Sequence, residues 1–427
     1  MNREFDRKEY DVIVVGAGIA GLSAALALRK KSKTVMIIEA RERTGGRILS
    51  SMEGNFSRKV ETGAEFIHGK APLLNKLLRA AAIPLAKTES NAWEIEKGKL
   101  RPAEIVSPDI ETLSNALHKL THDMTMSDFL NQNFPGPEYA TMRENVAYLV
   151  QGFDAADVGK ISAFSLRDEW SDDESFSGKR PMEGYSQLID WLTASVKEAG
   201  ADLVLNSPVK EVRWKTGHAE VFSQLGQFTA QKILVTVPAA VLKNGAIKFI
   251  PTLSEHQQAF EQIETGGVIK FLFEFKDSFW EKPGSGFRHM KNLGFVFSDA
   301  PIPTWWTQLP SPFPLLTGWL AGPITAQPRD EREMLSEAID SLSYIFDCSV
   351  EMINTNLVTS KVVNWVEDKF SLGAYAYKTP QTVSALKTIS LPVCDTIYFA
   401  GEAFANGKEM GTVEAALTSA NDVVKKM

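Results

Sequence analysis

Gly16-Ala17-Gly18-Ile19-Ala20-Gly21 is the first stretch whose residue types and spacing could do chemistry. In such a GxGxxG turn one glycine allows a tight bend and one lets the backbone approach a pyrophosphate. The third lets helix and strand pack closely. A helix opening there turns free N–H groups and a partial positive charge toward phosphate. With 29 glycines in 427 residues the pattern arises by chance about 0.13 times, so alone it is weak. Its setting strengthens it, because it lies between an apolar run and a helical pattern. Glu39 then closes the next apolar run, where a carboxylate can bind both ribose hydroxyls of an adenosine. This much suits NAD or FAD. Arg41, Arg43, Gly45, Gly46 and Arg47 follow in EARERTGGR, and arginines beside a Gly-Gly turn predict a second anion site near the first.

Other residues could serve a reacting site. Lys270 lies in VIKFLFEF and shares a strand face with Val268 and Leu272. A lysine so placed faces either solvent or a site. Tyr375 closes an aromatic-rich segment from Trp365, and an aromatic ring can orient an amine by its face. Trp305, Trp306 and Trp319 build either a cavity wall or core, and His68 is a lone histidine with either a structural or a binding role.

The elements that must hold these residues follow from patterning. Asp11 to Val15 and Thr34 to Glu39 read as buried parallel strands around a helix from Ile19 to Lys31. Helical patterns cover Pro72 to Ala82, parts of 109–150, Ser186 to Glu198, Arg329–Phe346 and the stretch from Thr412. Trp93 to Arg101 alternates around Lys97-Gly98 as a hairpin does. Strands are expected near Asp202–Leu205, Val209–Trp214, Ala219–Ser223, Lys232–Val237, Val268–Phe275, Leu357–Val366 and Thr396–Ala400. Residues 171–181 read as an exposed polar loop, and 299–328 as a Pro/Trp-rich region. This alternation predicts two interleaved domains.

Composition sets the outer limits. With 46 basic and 53 acidic residues the net charge is −7, which argues against nucleic acid as a partner. Two cysteines, Cys348 and Cys394, exclude a disulfide framework and any Cys-rich zinc site, and no metal is expected. No run of about 18 apolar residues suggests a membrane span. A soluble cytoplasmic protein is the expectation.

GAGIAGLSAA with IIEARERTGGR resembles the opening of the flavin-dependent amine oxidase family, which includes monoamine, polyamine and L-amino-acid oxidases and lysine-specific histone demethylases. Further segments agree. Glu61 to Gly69 (ETGAEFIHG) is similar to the family segment that runs under the flavin, and GYSQLIDW from Gly184 to the one re-entering the cofactor domain. IYFAGE from Ile397 and MGTVEAA from Met410 resemble the C-terminal flavin motif. The resemblance implies an α/β fold, with a Rossmann-like FAD-binding domain of glutathione-reductase type interleaved with an α+β substrate-binding domain. Residues 1–85, 182–247 and 388–427 would form the first, and 86–181 and 248–387 the second.

It also implies roles. FAD would be held without a covalent bond by Gly16, Gly18, Ala20, Gly21, Glu39, Ala40, Arg41, Gly46 and Arg47 near its phosphates and ribose. Gly63, Ala64, Glu65, Phe66, Val209, Trp365, Gly401, Glu402, Gly411, Thr412 and Val413 would complete its site. Monoamine oxidases carry a flavin-bonded cysteine where this chain has Ala374, and a second tyrosine where it has Thr412. Lys270 would be the catalytic residue, holding a water for flavin reoxidation. His68, Tyr375 and Thr412 would meet substrate. The implied activity acts on CH–NH groups: hydride passes from the amine α-carbon to flavin N5, the imine hydrolyses, and O2 reoxidises the flavin to give H2O2. The partners would be a small-molecule amine and O2, with no membrane anchor, in a monomer or homodimer. Two alternatives stay open: an FAD oxidoreductase of the same fold acting on a non-amine, as protoporphyrinogen oxidases and carotenoid desaturases do, or a flavin-binding protein without turnover.

Overall fold

In the computed structural model, which describes residues 9–87, 90–103, 110–171, 178–284, 286–407 and 409–427, two large sheets hold most of the strands. The first has eight strands. At its centre Tyr10–Val15 lies parallel to both Val35–Ile38 and Gly226–Val235, with Val14 opposite Ile37 and Leu234. Asp202–Val204 extends one edge, and Ile397–Phe399 pairs in parallel with the end of Gly226–Val235. Residues facing alternate sides fill different cores, as a period of two requires. Val12, Val14, Val35 and Ile37 pack under the helices Ile19–Lys30, Ser186–Glu198 and Val413–Lys426. Ile13, Val15, Met36 and Ile38 pack against Ala239–Lys243, Ser254–Glu261 and Thr382–Ile389 on the other side. Burial of both faces explains why these strands read as continuous apolar runs.

The second sheet has seven strands, in the order Leu357–Asn364, Val268–Phe275, Leu315–Ala321, Thr304–Trp306, Leu293–Ser298, Asn91–Glu96 and Lys99–Pro102. Ile269, Phe271, Phe273 and Phe275 face one large core with Trp305, Leu316 and Phe346. The opposite face carries Val268, Lys270 and Leu272, so the lysine sits between two small apolar clusters.

The strand Lys248–Ile250 pairs with Val209–Lys215 and extends the first sheet. The Pro/Trp-rich region holds two strands, Thr304–Trp306 and Leu315–Ala321, whose pattern its prolines conceal. In the expected loop, residues 172–177 lie outside the described residues, and Lys179–Pro181 is a strand paired with Leu85–Lys87. Arg180 in that strand is buried, because it has an acidic partner inside.

Candidate active site

One cavity of about 1600 Å3 runs between the two sheets. Its first end is made by backbone. Gly16 has φ +109°, which an L side chain rarely adopts. A Cβ on Gly21 would sit 2.0 Å from the Gly16 carbonyl oxygen, whereas one on Gly18 would meet nothing within 4 Å. Gly21 therefore serves close packing and Gly18 leaves open space, as the motif predicts. The helix Ile19–Lys30 begins at Gly18 with no side-chain cap and no acidic residue in its first turn. Its leading N–H groups have no intrahelical acceptor, and Gly18, Ile19 and Ala20 line the cavity. Glu39 is buried and accepts the N–H groups of Ala17 at 2.7 Å and Arg41 at 2.9 Å. The Gly-Gly turn lies against this loop, with the Gly45 N–H donating to the Ala17 carbonyl at 2.8 Å.

The arginines behave differently from the expected anion cluster. Arg41 donates to both carboxylate oxygens of Asp368, and Arg47 donates to Glu402 and to the Ala374 carbonyl, each at 2.7 Å. Arg43 turns back onto the carbonyls of Thr44 and Gly46 and does not line the cavity. Arg41 and Arg47 line it, but each also ties the N-terminal loop to the C-terminal third. A second helix start completes this end: Thr412 caps Val413–Lys426 by accepting the Ala415 N–H, while its hydroxyl donates to the Glu409 carbonyl.

At the other end side chains dominate. Lys270 is 1% exposed, so it does not face solvent, and it lines the cavity. Its Nζ donates to the carbonyls of Glu61 (2.8 Å) and Gly63 (3.2 Å) and to Glu65 Oε2 (2.9 Å). The other oxygen of Glu65 accepts from Arg180 at 3.1 Å, Trp306 Nε1 at 3.0 Å and Gln308 Nε2 at 3.3 Å. Burial raises the Glu65 pKa, but Lys270 and Arg180 outweigh it and hold the carboxyl below its ordinary value. Burial likewise lowers Arg180, opposed by Glu65 and Glu61. The Arg180 guanidinium stacks 4.5 Å from the Phe66 ring centroid.

Phe66, Phe295, Trp306 and Trp319 form a contiguous aromatic wall, with centroids 5.6–5.9 Å apart. Trp305 points the other way into core, so the three tryptophans divide between wall and core by strand alternation. Tyr375 lines the cavity and donates its hydroxyl to the Phe153 carbonyl at 2.7 Å. His68 lies edge-on to Phe153 with centroids 5.3 Å apart. Trp365 is buried and donates to the Thr62 carbonyl.

Of the residues expected in the site, Gly16, Gly18, Ala20, Glu39, Ala40, Arg41, Gly46, Arg47, Gly63, Ala64, Glu65, Phe66, His68, Val209, Lys270, Trp365, Tyr375, Gly401, Glu402, Gly411, Thr412 and Val413 line this one cavity. Gly21 does not, in keeping with its packing role. Neither Cys348 nor Cys394 reaches it.

Two acids escaped sequence reasoning. Asp154 ends the helix Ala140–Asp154 and Glu169 lies in the last turn of Ala163–Trp170, and both line the cavity. Burial, then Glu169, drives the Asp154 pKa well up. Burial pushes Glu169 up to about 7, against the pull of its hydrogen bond to Asp154 and of Lys378. A carboxylate in the last turn of a helix opposes the macrodipole, and that was the available signal.

A dinucleotide cradle opening into an apolar, aromatic chamber is the arrangement of a flavoprotein oxidoreductase. The sequence model of the flavin containing amine oxidoreductases matches residues 19–427, and the chain belongs to that family. It is a flavin-dependent enzyme acting on amines, and FAD is its cofactor. The chain is 27% identical to polyamine oxidase 2 of Arabidopsis thaliana over 453 residues, covering 96% of this chain and 87% of that one. It is 26% identical to human lysine-specific histone demethylase 2, with 93% of this chain covered but only 51% of the demethylase. A putrescine oxidase variant redesigned in cofactor binding superposes with a TM-score of 0.82 at 20% identity, and cyclohexylamine oxidase from Brevibacterium oxydans with 0.80 at 18%. Each covers 98% of both chains.

Proposed function

We propose that the protein oxidises an aliphatic amine in the chamber bounded by Lys270, Tyr375, Phe66 and Trp306. The observation that carries this reading is the continuity of one cavity from the Gly16–Gly18 cradle and Glu39 to those four residues. FAD held here would supply the redox chemistry, as acceptor of a hydride from the carbon beside the amine nitrogen and donor of two electrons to O2, with H2O2 as the product. Gly18, Glu39, Arg47 and the start of the helix Val413–Lys426 would hold the cofactor. The remaining tasks fall to side chains.

A protonated amine cannot assist hydride loss, so the nitrogen must arrive neutral or lose its proton inside. The Asp154–Glu169 pair lies on the cavity wall, and both acids act electrostatically on Tyr375. A carboxyl pair whose proton affinity burial raises draws an ammonium in and accepts its proton. The Tyr375 ring and the aromatic wall exclude water and orient the amine. Relatives that include polyamine and putrescine oxidases support an aliphatic amine with more than one nitrogen.

The test is anaerobic mixing of the yellow protein with primary monoamines, diamines, polyamines and amino acids. Bleaching by diamines or polyamines is expected. Bleaching by none would leave a flavin-binding protein or a non-amine substrate, and would reject the proposal.

A further inference from the structure

Lys270 has three N–H groups, and all three meet acceptors on one short segment: the carbonyls of Glu61 and Gly63 and the carboxylate of Glu65. Glu65 is in turn fixed from behind by Arg180, Trp306 and Gln308. Arg180 and Trp306 come from distant strands, Lys179–Pro181 and Thr304–Trp306, and Gln308 follows the second; all converge on a carboxylate 4% exposed. A solvent-screened ion pair would be worth little, but here both members are enclosed, so each depends on the other for its charge. We infer that Glu65 is the positioning residue for Lys270: through their ion pair it pins the lysine Nζ to the 61–65 segment, as a fixed group beside the cofactor site. The inference rests on FAD occupying this cavity but not on amine turnover.

The charged and titratable groups acting on the pair are Glu61, whose carboxyl burial pushes up to about 7, and Arg180. Without the Glu65 carboxylate, the acid left beside Lys270 is Glu61, whose own charge burial opposes. Burial without a charged partner disfavours the charged form of a lysine.

The experiment follows the visible spectrum of bound FAD against pH, without substrate, in the wild type, Glu65→Gln, Glu65→Asp, Lys270→Met and the Glu65→Gln/Lys270→Met pair. Glu65→Gln should show a spectral step between about pH 5.5 and 8 that is missing in the wild type, in Glu65→Asp and in the double variant. A step common to all five proteins belongs to Glu61. If Glu65→Gln shows no lysine-dependent step, the positioning role is rejected. A merely structural Glu65 would lower FAD retention without creating one. Trp306→Phe guards against misfolding of Glu65→Gln, because it keeps the ring and removes one N–H from Glu65. It should slow O2 reoxidation of pre-reduced flavin about two- to tenfold when Lys270 is present and leave Lys270→Met unchanged. Equal slowing in both backgrounds would also reject the role. Amine bleaching that fails while the spectral step appears would count against the substrate proposal alone.

Discussion

Two carboxylate sites on the cavity wall differ in sign. Glu65 is surrounded by donors and two cations, and its carboxyl is held below its ordinary value. Asp154 and Glu169 face each other at two helix C-termini, and both are driven up. Burial acts in the same direction on all three. The partners decide the outcome: opposite charge fixes a carboxylate, and like charge leaves a proton to be shared. One end of the chamber is therefore built to keep its charge and the other to change it.

The largest expected effect tests the first site. Glu65→Leu leaves Lys270 and Arg180 buried without their carboxylate and should cost about 3–5 kcal/mol in denaturant unfolding. Lys270→Met should cost clearly less, because Glu65 keeps Arg180, Trp306 and Gln308. It should slow flavin reoxidation while FAD stays bound. Equal losses of stability from the two substitutions would break the contrast.

The two sites should also respond oppositely to pH. Glu169 moves from 4.5 to about 7 on folding, so the stability it contributes is complete below pH 4.5 and is lost as pH rises through about 7. Glu65, being lowered, contributes above its ordinary range and loses its contribution on acidification. Between about pH 4.5 and 7 unfolding midpoints should therefore fall less steeply in Glu169→Gln than in the wild type, and not in Glu65→Asp. An unchanged slope in that window in Glu169→Gln would remove the proton-sharing pair. The smallest effect is expected from Tyr375→Phe, which loses one hydrogen bond, worth about 1 kcal/mol, to the carbonyl next to Asp154. It should leave KM for the amine nearly unchanged, because the ring that orients the substrate is kept; a large rise in KM would assign that task to the hydroxyl.

The backbone end of the site was legible in sequence because its chemistry is local: Gly16, Gly18, Gly21 and Glu39 act within one βαβ unit. Val268–Phe275 was read with its observed bounds, since an apolar run of β-branched and aromatic residues broken only by Lys270 and Glu274 fits a strand covered on both faces. Arg180 was hidden because its neighbours are polar and its partner is 115 residues away. The wall role of Trp306 and Trp319 was undecided for a related reason: alternation assigns faces only once the strands are known. Asp154 and Glu169 sit in ordinary amphipathic helices, and only their helix-end placement set them apart.

The helix Val413–Lys426 contributes more than a cofactor contact. Glu414 accepts the N–H groups of Leu73 and Leu74, which open the helix Pro72–Ala80, and Lys31 reaches back to the Val424 carbonyl. Residues synthesised first thus wait for partners made more than 300 positions later. The nucleotide cradle cannot close cotranslationally when its own glycine loop emerges. Such long-range contacts predict slow assembly, with an early intermediate whose apolar sheet faces are open to aggregation or to a chaperone.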